Sequence, residues 1–453
     1  MSLIKSISGI RGTIGGNYNN NLTALDIVEC TAAFAKFILE QDKGRKVVVG
    51  RDGRISGPMV AGLVNNTLIS MGLDVIDLGL STTPTVEMAV TDLKASAGII
   101  ITASHNPGQW NALKFLNSKG EFISAATGTL LLKYIAEGSL LFAEVHELGK
   151  IESVNYMSEH IDHILALDLV DENSIREAKF HVIVDCINST GALSIPPLLD
   201  RLGVSYKLIN EVVNGQFAHN PEPKEEHLQD LAKAIKESKA DLGIAVDPDV
   251  DRLAFMNSDG TMFGEEYTLV AIADYILSIQ KGPTVSNLSS TLALRDISDR
   301  HGVPYHAAAV GEVNVVNKMK EVNAVIGGEG NGGVILPSLH YGRDALVGIA
   351  LMLSYMAKSG KSILDIKAGL PFYEMTKDKI DLAQGIDVDA ILNKMAKHFA
   401  SEEVSTIDGV KIIFDQEWVH LRKSNTEPII RIYAESKTKA KADELVQKIK
   451  VLI

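Results

Sequence analysis

The sequence predicts three consecutive α/β domains with mixed or parallel sheets, followed by a carboxyl-terminal α+β domain, all arranged around a central cleft. Three observations predict this fold class. The chain has 453 residues, more than one ordinary hydrophobic core accommodates, so three or four domains are expected. Short apolar runs rich in β-branched residues alternate with helical patterns over most of the chain, as in βαβ units. After residue 369, strand-like runs follow one another between helices instead.

Composition and charge restrict the class of function. Hydrophobic residues make up 46% of the chain and charged residues 22%, which is typical of a folded soluble protein. The formal net charge of −13 argues against a nucleic-acid partner, which would need a basic face. No apolar run reaches transmembrane length and the first residues lack a signal-peptide pattern, so no membrane partner is expected. Cys30 and Cys186 give no disulfide framework or metal motif, which predicts two core-filling thiols and a cytoplasmic location.

The first predicted domain, residues 1–152, alternates helix and strand patterns. Apolar positions after Thr23 follow helical spacing, with Thr23 three residues before Asp26 as a start signal. Further elements are predicted as strands over 47–49, 75–78 and 97–101 and a helix over 58–70. Arg51, Asp52 and Arg54 follow the first of these strands and could help form a phosphate environment. A salt bridge between Asp52 and one of the two arginines is the favoured interpretation.

A serine stands where the apolar run 97–101 ends. In open α/β sheets ligands bind at the carboxyl ends of the strands, and Ser104 is placed there. Asn106 and Pro107 prevent simple helical continuation, so the hydroxyl of Ser104 is expected on a turn. A serine that only caps this turn is the alternative interpretation, because serine is an ordinary turn residue.

The second predicted domain, residues 153–255, ends in an acidic loop. Its elements are predicted as strands over 181–185 and 206–209, helices over 196–201 and 225–239, and a strand that leads into Asp247. Asp247, Asp249 and Asp251 stand at alternate positions and can direct oxygens to one point, which suits Mg²⁺. Ordinary surface charge is the alternative, although closely spaced like charges repel. An EF-hand is excluded because Arg252 stands where that motif requires glycine.

The third predicted domain, residues 256–368, leads into a glycine-rich loop. Its elements are predicted over 265–280, 284–288, 294–300 and 324–327. Glycines 328, 330 and 333 match the GxGxxG dinucleotide fingerprint. That fingerprint requires a helix directly after it, whereas residues 334–337 are predicted to be extended, so a nicotinamide site is not expected.

The fourth predicted domain, residues 369–453, carries a basic loop. Its elements are predicted as helices over 388–399 and 440–449 and strands over 409–414, 418–421 and 429–434. Cationic and hydrogen-bonding side chains that suit a phosphate gather in and beside this loop. They are Arg422, Lys423, Ser424, Asn425, Thr426 and Arg431. A solvated basic turn is the alternative interpretation.

Four of these loops together resemble a known family. The segments TASHNP (102–107), DPDVDR (247–252), GEGNGG (328–333) and RKSNTEP (422–428) follow in this order. They are similar to the four signature loops of the α-D-phosphohexomutases, which include phosphoglucosamine mutase, phosphomannomutase and phosphoglucomutase. The resemblance covers nearly the whole chain, from the segment SGIRG (8–12) to Arg431.

The resemblance implies a mechanism and a set of catalytic residues. Phosphorylated Ser104 would give its phosphoryl group to a hexose phosphate, and the bisphosphate formed would turn round and return its other phosphate. One Mg²⁺ per chain would be held by Ser104 and the three aspartates of the acidic loop. Lys114 matches the family position proposed for the base near the accepting hydroxyl, and Arg11, the other predicted catalytic residue, lies in the matching amino-terminal loop. Hexose 1,6-bisphosphate would act as an activator, and the partner would be a small phosphosugar.

The resemblance also implies how the sugar is bound, with one departure from the family. Glu329 and Asn331 would hydrogen-bond sugar hydroxyls, Arg252 would contribute to binding, and the RKSNTEP loop would hold the phosphate that is not reacting. Many relatives have histidine at the position of Gly333, where it is often assigned acid/base work. His306 and His301 are candidates to replace it, with structural roles as the alternative for both.

The sequence thus favours a phosphohexose mutase, and among the sugars glucosamine phosphate. That preference depends on Glu312, whose carboxylate could pair with an amino group. Phosphomannomutase or phosphoglucomutase activity is the alternative. A metal-dependent sugar phosphatase and a non-catalytic sugar-phosphate sensor are competing hypotheses, and a monomer or a homodimer is expected.

Overall fold

The computed structural model describes residues 2–6, 9–41, 44–138, 140–381, 387–423 and 429–453. The chain divides into two compact units. The first consists of residues 1–268 and 331–366, and the second of residues 269–330 and 367–453. None of the helices in the described part of the chain combines the length and the apolar composition that a bilayer crossing requires.

Twenty strands and fifteen α-helices form in the described residues. The strands are β1 (Ile4–Ser6), β2 (Gly9–Thr13), β3 (Lys46–Arg51), β4 (Asp74–Leu80), β5 (Ala97–Ile101), β6 (Trp110–Leu116), β7 (Ile151–Ser153), β8 (His181–Asp185), β9 (Ser205–Ile209), β10 (Leu242–Val246), β11 (Leu253–Asn257), β12 (Thr284–Asn287), β13 (Tyr305–Ala308), β14 (Ile326–Glu329), β15 (Gly333–Ile335), β16 (Glu374–Asp381), β17 (Glu403–Ser405), β18 (Val410–Ile413), β19 (Trp418–Lys423) and β20 (Ile429–Ser436). The helices are α1 (Ala24–Glu40), α2 (Gly57–Ser70), α3 (Thr83–Asp92), α4 (Ala125–Glu137), α5 (Met157–Leu165), α6 (Glu172–Ala178), α7 (Gly191–Leu202), α8 (Gln229–Ser238), α9 (Glu265–Ile279), α10 (Ala293–Arg300), α11 (Glu312–Val322), α12 (Ala345–Ser359), α13 (Ile363–Gly369), α14 (Val388–His398) and α15 (Lys439–Leu452).

A seven-stranded mixed sheet forms the start of the first unit, in the order β1-β2-β6-β5-β3-β4-β7. Strands β5, β3 and β4 are parallel, whereas β6 runs antiparallel to both β5 and β2. All five residues of β5 are buried, which explains its continuous apolar run. The sequence analysis does not predict β6, because its polar Asn111 and Lys114 interrupt the apolar pattern. This strand brings Lys114 next to the strand that leads to Ser104.

The predicted start of the first helix is confirmed, whereas the predicted boundary between the first two domains interrupts a strand. Thr23 caps α1 in a capping box with Asp26, as predicted. Strand β7 and helix α5 lie on either side of the predicted boundary between the first two domains, and β7 pairs with β4. The predicted domain boundary at residue 152 therefore falls inside β7, and the four predicted domain ranges stay predictions.

A four-stranded sheet with the order β11-β10-β8-β9 follows in the first unit. Strands β10, β8 and β9 are parallel, and β11 returns antiparallel to β10 over five residue pairs. The turn between β10 and β11 is the acidic loop. Because both strands are entirely buried, the loop starts and ends on fixed backbone. The free cysteines Cys30 and Cys186 are buried, as expected for core residues.

The second unit contains two further sheet regions. Strands β13 and β14 flank β12 in parallel, and β14 ends at Glu329 in the glycine-rich loop. The carboxyl-terminal sheet has the order β16-β20-β19-β18-β17 and is antiparallel throughout. Its core consists of apolar residues from these strands and from α14 and α15, which is the predicted α+β arrangement.

Candidate active site

The Ser104 loop leaves β5 in a conformation that is unusual for serine. Ser104 has a φ of +49°, in the left-handed region, and only 7% of its surface is exposed. Its backbone N–H donates to Oγ1 of Thr102 at 2.9 Å, and its hydroxyl donates to Oδ2 of Asp247 at 2.6 Å. Such backbone strain persists only where surrounding contacts enforce it. The predicted turn therefore presents the hydroxyl to the acidic loop.

Arg54 and Asp52 hold the Ser104 loop from behind. The predicted salt bridge exists, with Nε of Arg54 3.0 Å from Oδ2 of Asp52 and both side chains fully buried. The same guanidinium donates to four backbone carbonyls of the loop, those of Ser104, Asn106, Pro107 and Trp110. Oδ2 of Asp52 also accepts from Thr102 at 2.7 Å. Because Arg supplies five donors in a rigid plane, one side chain fixes the whole turn.

The acidic loop places three carboxylates together. One oxygen from each of Asp247, Asp249 and Asp251 lies within 4.8 Å of the others, and all three residues are completely buried. Oδ1 of Asp249 and Oδ1 of Asp251 are buried and have no hydrogen-bond partner among the described residues. Buried carboxylate oxygens without a hydrogen-bond partner are ligands that suit a hard divalent cation. The residues present therefore fit a metal ion, as the sequence predicts.

Cations and a hydroxyl from distant segments surround these carboxylates. Nζ of Lys114 lies 2.8 Å from Asp249 and 3.5 Å from Asp251. Arg343 donates through Nη2 to Oδ2 of Asp251 at 2.7 Å, and Thr83 donates to Oδ2 of Asp249 at 2.6 Å. Sequence reasoning missed Arg343 and Thr83. The available signals were weak: Thr83 starts a helix after a strand, and Arg343 precedes the cap of a long apolar helix.

These contacts shift the pKa values of Asp247 and Asp249 in opposite directions. Burial, reinforced by Asp251 and Asp249, raises the pKa of Asp247 well above its usual range. Burial also opposes ionisation of Asp249, but Lys114 and Thr83 outweigh it and lower the pKa of that carboxyl. Burial lowers the pKa of Lys114, and the two carboxylates raise it above its usual value. Lys114 is therefore an ammonium group in this state, a proton donor rather than a free base.

Arg343 occupies the space that a side chain at position 333 would need. A Cβ built on Gly333 would lie 2.3 Å from Cδ of Arg343. A histidine at this position would therefore require the side chain of Arg343 to shift. The predicted substitutes remain untested: His301 lies 2.8 Å from Asp274 and 2.7 Å from Lys281, and His306 lies on β13.

His105, next to the predicted nucleophile, is a further residue that sequence reasoning missed. Its Nδ1 lies 3.4 Å from the hydroxyl of Ser104. Burial, together with the positive charges of Arg252 and Arg343, lowers the pKa of His105 to about 2. The ring is therefore neutral at ordinary pH and can accept or donate a hydrogen bond without adding charge.

The remaining predicted residues of the first unit lie in three different settings. Arg252 is nearly buried, with its backbone N–H on Asp247 and Nη1 3.6 Å from Glu222. Arg11 is an exposed residue of β2 in register with Ala112 of β6. Oδ1 of Asn331 is buried without a hydrogen-bond partner among the described residues.

Glu329 lies in the second unit, at the end of β14. Its Oε1 accepts from Nδ2 of Asn287 at 3.0 Å and from the N–H of Gly311 at 3.2 Å. Gly311 immediately precedes Glu312, the first residue of α11. The two carboxylates therefore belong to loops in direct contact.

The basic loop of the second unit is only partly described. Arg422 and Lys423 end β19, and Arg431 pairs with Arg422 across the sheet. Nε of Arg422 lies 3.1 Å from Asp408, and Nζ of Lys423 lies 3.9 Å from Asp389. The other predicted members, Ser424, Asn425 and Thr426, lie outside the described residues.

Comparisons with known proteins agree with this arrangement along the whole chain. Four consecutive family models match, those of phosphoglucomutase/phosphomannomutase α/β/α domains I, II and III and of the C-terminal domain. The matched residues are 3–140, 158–260, 264–372 and 377–451. They confirm the predicted fold class.

Named relatives and a solved structure cover nearly the full length. A phosphoglucomutase/phosphomannomutase of Thermococcus kodakarensis is 35% identical over 96% of both chains. A phosphoglucosamine/phosphogalactosamine mutase of Sulfurisphaera tokodaii is 32% identical over 100% of this chain and 99% of its own. The crystal structure of a phosphoglucomutase/phosphomannomutase family protein from Burkholderia thailandensis superposes with a TM-score of 0.87 at 26% identity, covering 99% of this chain and 96% of that one. The chain therefore belongs to the α-D-phosphohexomutase family and is a phosphohexomutase, an enzyme of the isomerase class.

Proposed function

We propose that this enzyme interconverts glucosamine 6-phosphate and glucosamine 1-phosphate through a phosphoserine at Ser104 and a bisphosphate intermediate. The observation that carries the proposal is the position of the Ser104 hydroxyl, 2.6 Å from Asp247 beside three buried carboxylates. A serine oxygen is a poor leaving group unless positive charge stabilises it. The carboxylates bring that charge by holding a cation.

The metal site is assigned to Ser104, once phosphorylated, together with Asp247, Asp249 and Asp251. Mg²⁺ is the ion that suits carboxylate and phosphate oxygens, and when bound it supplies Lewis acidity at the phosphoryl group. Lys114 contacts two of the carboxylates and lies on the strand beside the Ser104 strand. We assign proton transfer to Lys114, with Arg11 on the neighbouring strand as a second contact to phosphate.

The transfer breaks the bond between phosphorus and Oγ of Ser104 and forms a bond to a sugar hydroxyl. The proton of that hydroxyl passes to Lys114. Lys114 can act as this base once a bound cation offsets the two carboxylates that raise its pKa and its ammonium group has released a proton to solvent. In the second half-reaction the serine oxygen receives the other phosphoryl group. While this happens, Arg422, Lys423 and Arg431 hold the phosphate that is not reacting. Hexose 1,6-bisphosphate is the proposed activator, because it phosphorylates Ser104 in the resting enzyme.

The choice of glucosamine rests on two carboxylates of the second unit. Glu329 accepts a hydrogen bond from the residue before Glu312, which brings Glu312 close in the chain to the carboxylate assigned to sugar hydroxyls, where Glu312 could pair with an amino group. The names of the relatives support both this assignment and the alternative, phosphomannomutase or phosphoglucomutase activity. Asn331, with an unused buried oxygen, is assigned to a sugar hydroxyl.

The test is a ratio of kcat/KM values for glucosamine, mannose and glucose phosphates, measured with Mg²⁺ and the matching bisphosphate. We expect the highest value for glucosamine 6-phosphate, and Glu312→Gln should lower it relative to glucose 6-phosphate. A Glu312→Gln variant with an unchanged ratio would remove the argument for the amino sugar. Release of inorganic phosphate without isomerisation would favour the phosphatase hypothesis instead.

A further inference from the structure

We propose that His160, His340 and Asp344 bind a zinc ion at a second site that shares no ligand with the acidic loop. One ligand atom from each of the three residues lies within 4.8 Å of the other two. His160 belongs to α5, Asp344 caps α12, and His340 lies four residues before that cap. Two imidazole nitrogens and one carboxylate oxygen are a common three-residue ligand set for zinc, with water in the fourth position.

The distances between these atoms are close to those of an occupied site. Nε2 of His160 lies 2.9 Å and Nε2 of His340 lies 3.3 Å from the same oxygen, Oδ2 of Asp344. Ligand atoms at about 2.0–2.1 Å from a tetrahedral zinc ion are about 3.3 Å apart. Shifts of a few tenths of an ångström would therefore bring these two pairs of atoms to the distances of an occupied site.

Contacts behind each ligand orient it toward the centre of the cluster. The other oxygen of Asp344 accepts from the backbone N–H groups of Leu346 and Val347, at 2.8 and 3.3 Å, so Oδ2 faces inward. Nδ1 of His160 lies 2.9 Å from Oγ1 of Thr85. Nδ1 of His340 lies 3.4 Å from the carboxylate of Glu87. Metal-binding histidines are generally held in this way through the second ring nitrogen.

Burial of Asp344 adds an electrostatic reason for a cation. Its side chain is completely buried, as is that of His160, while the side chain of His340 is 12% exposed. A buried carboxylate is costly unless its charge is compensated. Burial opposes a charge on His340, but Asp344 and Glu87 outweigh it and raise the pKa of His340 to about 10, so without a metal a protonated His340 compensates Asp344. A divalent cation between the three groups would take over this compensation and release that proton.

The site would fix two residues that contact the acidic loop. Arg343, adjacent to Asp344, reaches Asp251, and Thr83, two residues before Thr85, reaches Asp249. An ion held by α5, α12 and the residues preceding α12 would tie these segments together. Its role is thus structural, and its loss should weaken Mg²⁺ binding at the acidic loop.

Zinc content of the full-length protein is the direct test. Protein stripped with a chelator and dialysed against Zn²⁺ in excess Mg²⁺ should retain one zinc per chain by elemental analysis. Asp344→Asn keeps a good helix cap but weakens the ligand, and His160→Gln removes one ligand, so both should lose the zinc. Asp249→Asn is the matched control, because it changes the acidic loop and should keep the zinc.

A milder variant distinguishes loss of zinc binding from misfolding. Thr85→Val removes the contact behind His160 without removing a ligand, and should weaken zinc affinity about 10–100-fold. Circular dichroism checks the fold of each variant. A stripped wild-type protein that takes up no zinc would overturn the proposal and leave a hydrogen-bonded network. Zinc that is lost in Asp249→Asn but kept in Asp344→Asn would overturn it as well.

Discussion

The Ser104 and acidic loops of the first unit differ from the basic loop of the second unit in how their charges are held. Asp247, Asp249 and Asp251 are completely buried, and partners from other elements contact each of them. In the basic loop, the side chain of Arg422 is 26% exposed and that of Lys423 is 57% exposed, each with a single described ion pair. Electrostatic interactions are strong in the buried acidic loop, whereas solvent screens those of the exposed basic loop.

This contrast separates chemistry from binding. A buried, cross-linked group of charges is already organised for a transition state and costs no reorganisation when the phosphoryl group moves. The exposed basic loop is proposed to hold a phosphate that is bound equally before and during the reaction. Substitutions in the first setting should therefore change kcat, metal dependence and stability, and those in the second should change mainly KM.

The largest expected effect is that of Ser104→Ala. Under the proposed mechanism Ser104 forms the covalent intermediate, so its removal should reduce kcat by at least about 10⁴-fold. The fold should persist, because the hydroxyl makes few contacts besides that with Asp247. Turnover is measured together with peptide mapping, which should find phosphate on Ser104 in the wild type and none in the variant.

An exposed serine provides the control for this substitution. Ser124→Ala changes the cap of α4 and should keep full activity. Phosphate on another residue, with Ser104 unmodified in active enzyme, would contradict the mechanism.

Asp249→Ala should have the second largest effect on activity. It removes one metal ligand and the main partner of Lys114, so we expect a loss of at least about a hundredfold in rate and a higher Mg²⁺ requirement. Unfolding should be less affected, because the remaining carboxylates repel each other less. The check is a Mg²⁺ titration of activity alongside thermal unfolding. Full wild-type activity in excess chelator would rule out the metal assignment.

Arg343→Met tests whether a partner that the sequence did not predict holds the acidic loop. Loss of one member of a buried ion pair costs about 3–5 kcal/mol when the other charge is left alone, and less here because Lys114 also contacts Asp251. Added Mg²⁺ should restore part of this loss, so the variant should gain more thermal stability from Mg²⁺ than the wild type does. Arg343→Lys, which keeps the charge, is the control. Equal stabilisation by Mg²⁺ in all three proteins would show that Arg343 does not support the loop.

The residues found by sequence analysis and those that it missed differ in the range of their interactions. Ser104 and the three aspartates follow buried apolar strands directly, so a local pattern identifies them. Thr83 and Asp249 are 166 residues apart, and Arg343 and Asp251 are 92 apart. No local pattern specifies such a pairing, because it depends on how whole elements pack.

The fold shows the same division. Capping by Thr23 and the apolar strands were predictable, whereas β6 was not, because the buried Asn111 and the half-buried Lys114 obscure its pattern. The contact between Arg343 and Gly333 was also not predictable from the sequence. The glycine at position 333 can be explained only once the structure shows that the side chain of Arg343 fills the adjacent space.

Arg422→Ala should have the smallest of these effects, and it tests the binding side of the comparison. A charge-assisted hydrogen bond to phosphate contributes on the order of 1.5–3 kcal/mol, so kcat/KM should fall roughly ten- to a hundredfold. Most of the loss should appear in KM, with some in kcat because remote binding energy also orients the sugar. Lys423→Ala is the matched control: Lys423 is more exposed and lies 3.9 Å from its partner, so its loss should matter less.

Retention of the intermediate distinguishes a phosphate-binding role of Arg422 from a merely structural one. In the proposed mechanism the bisphosphate must turn round before it returns a phosphoryl group, and a loosened hold on its second phosphate should let it escape. Arg422→Ala should therefore lose phosphate from Ser104 during turnover and need added hexose 1,6-bisphosphate to stay active, whereas a locally unfolded loop would not respond to the bisphosphate. Because Arg422 also pairs with Asp408, Asp408→Asn should leave bisphosphate retention intact if the guanidinium acts on phosphate. If substrate affinity and retention are both unchanged in Arg422→Ala, the basic loop does not bind the sugar phosphate, and the phosphatase hypothesis gains support.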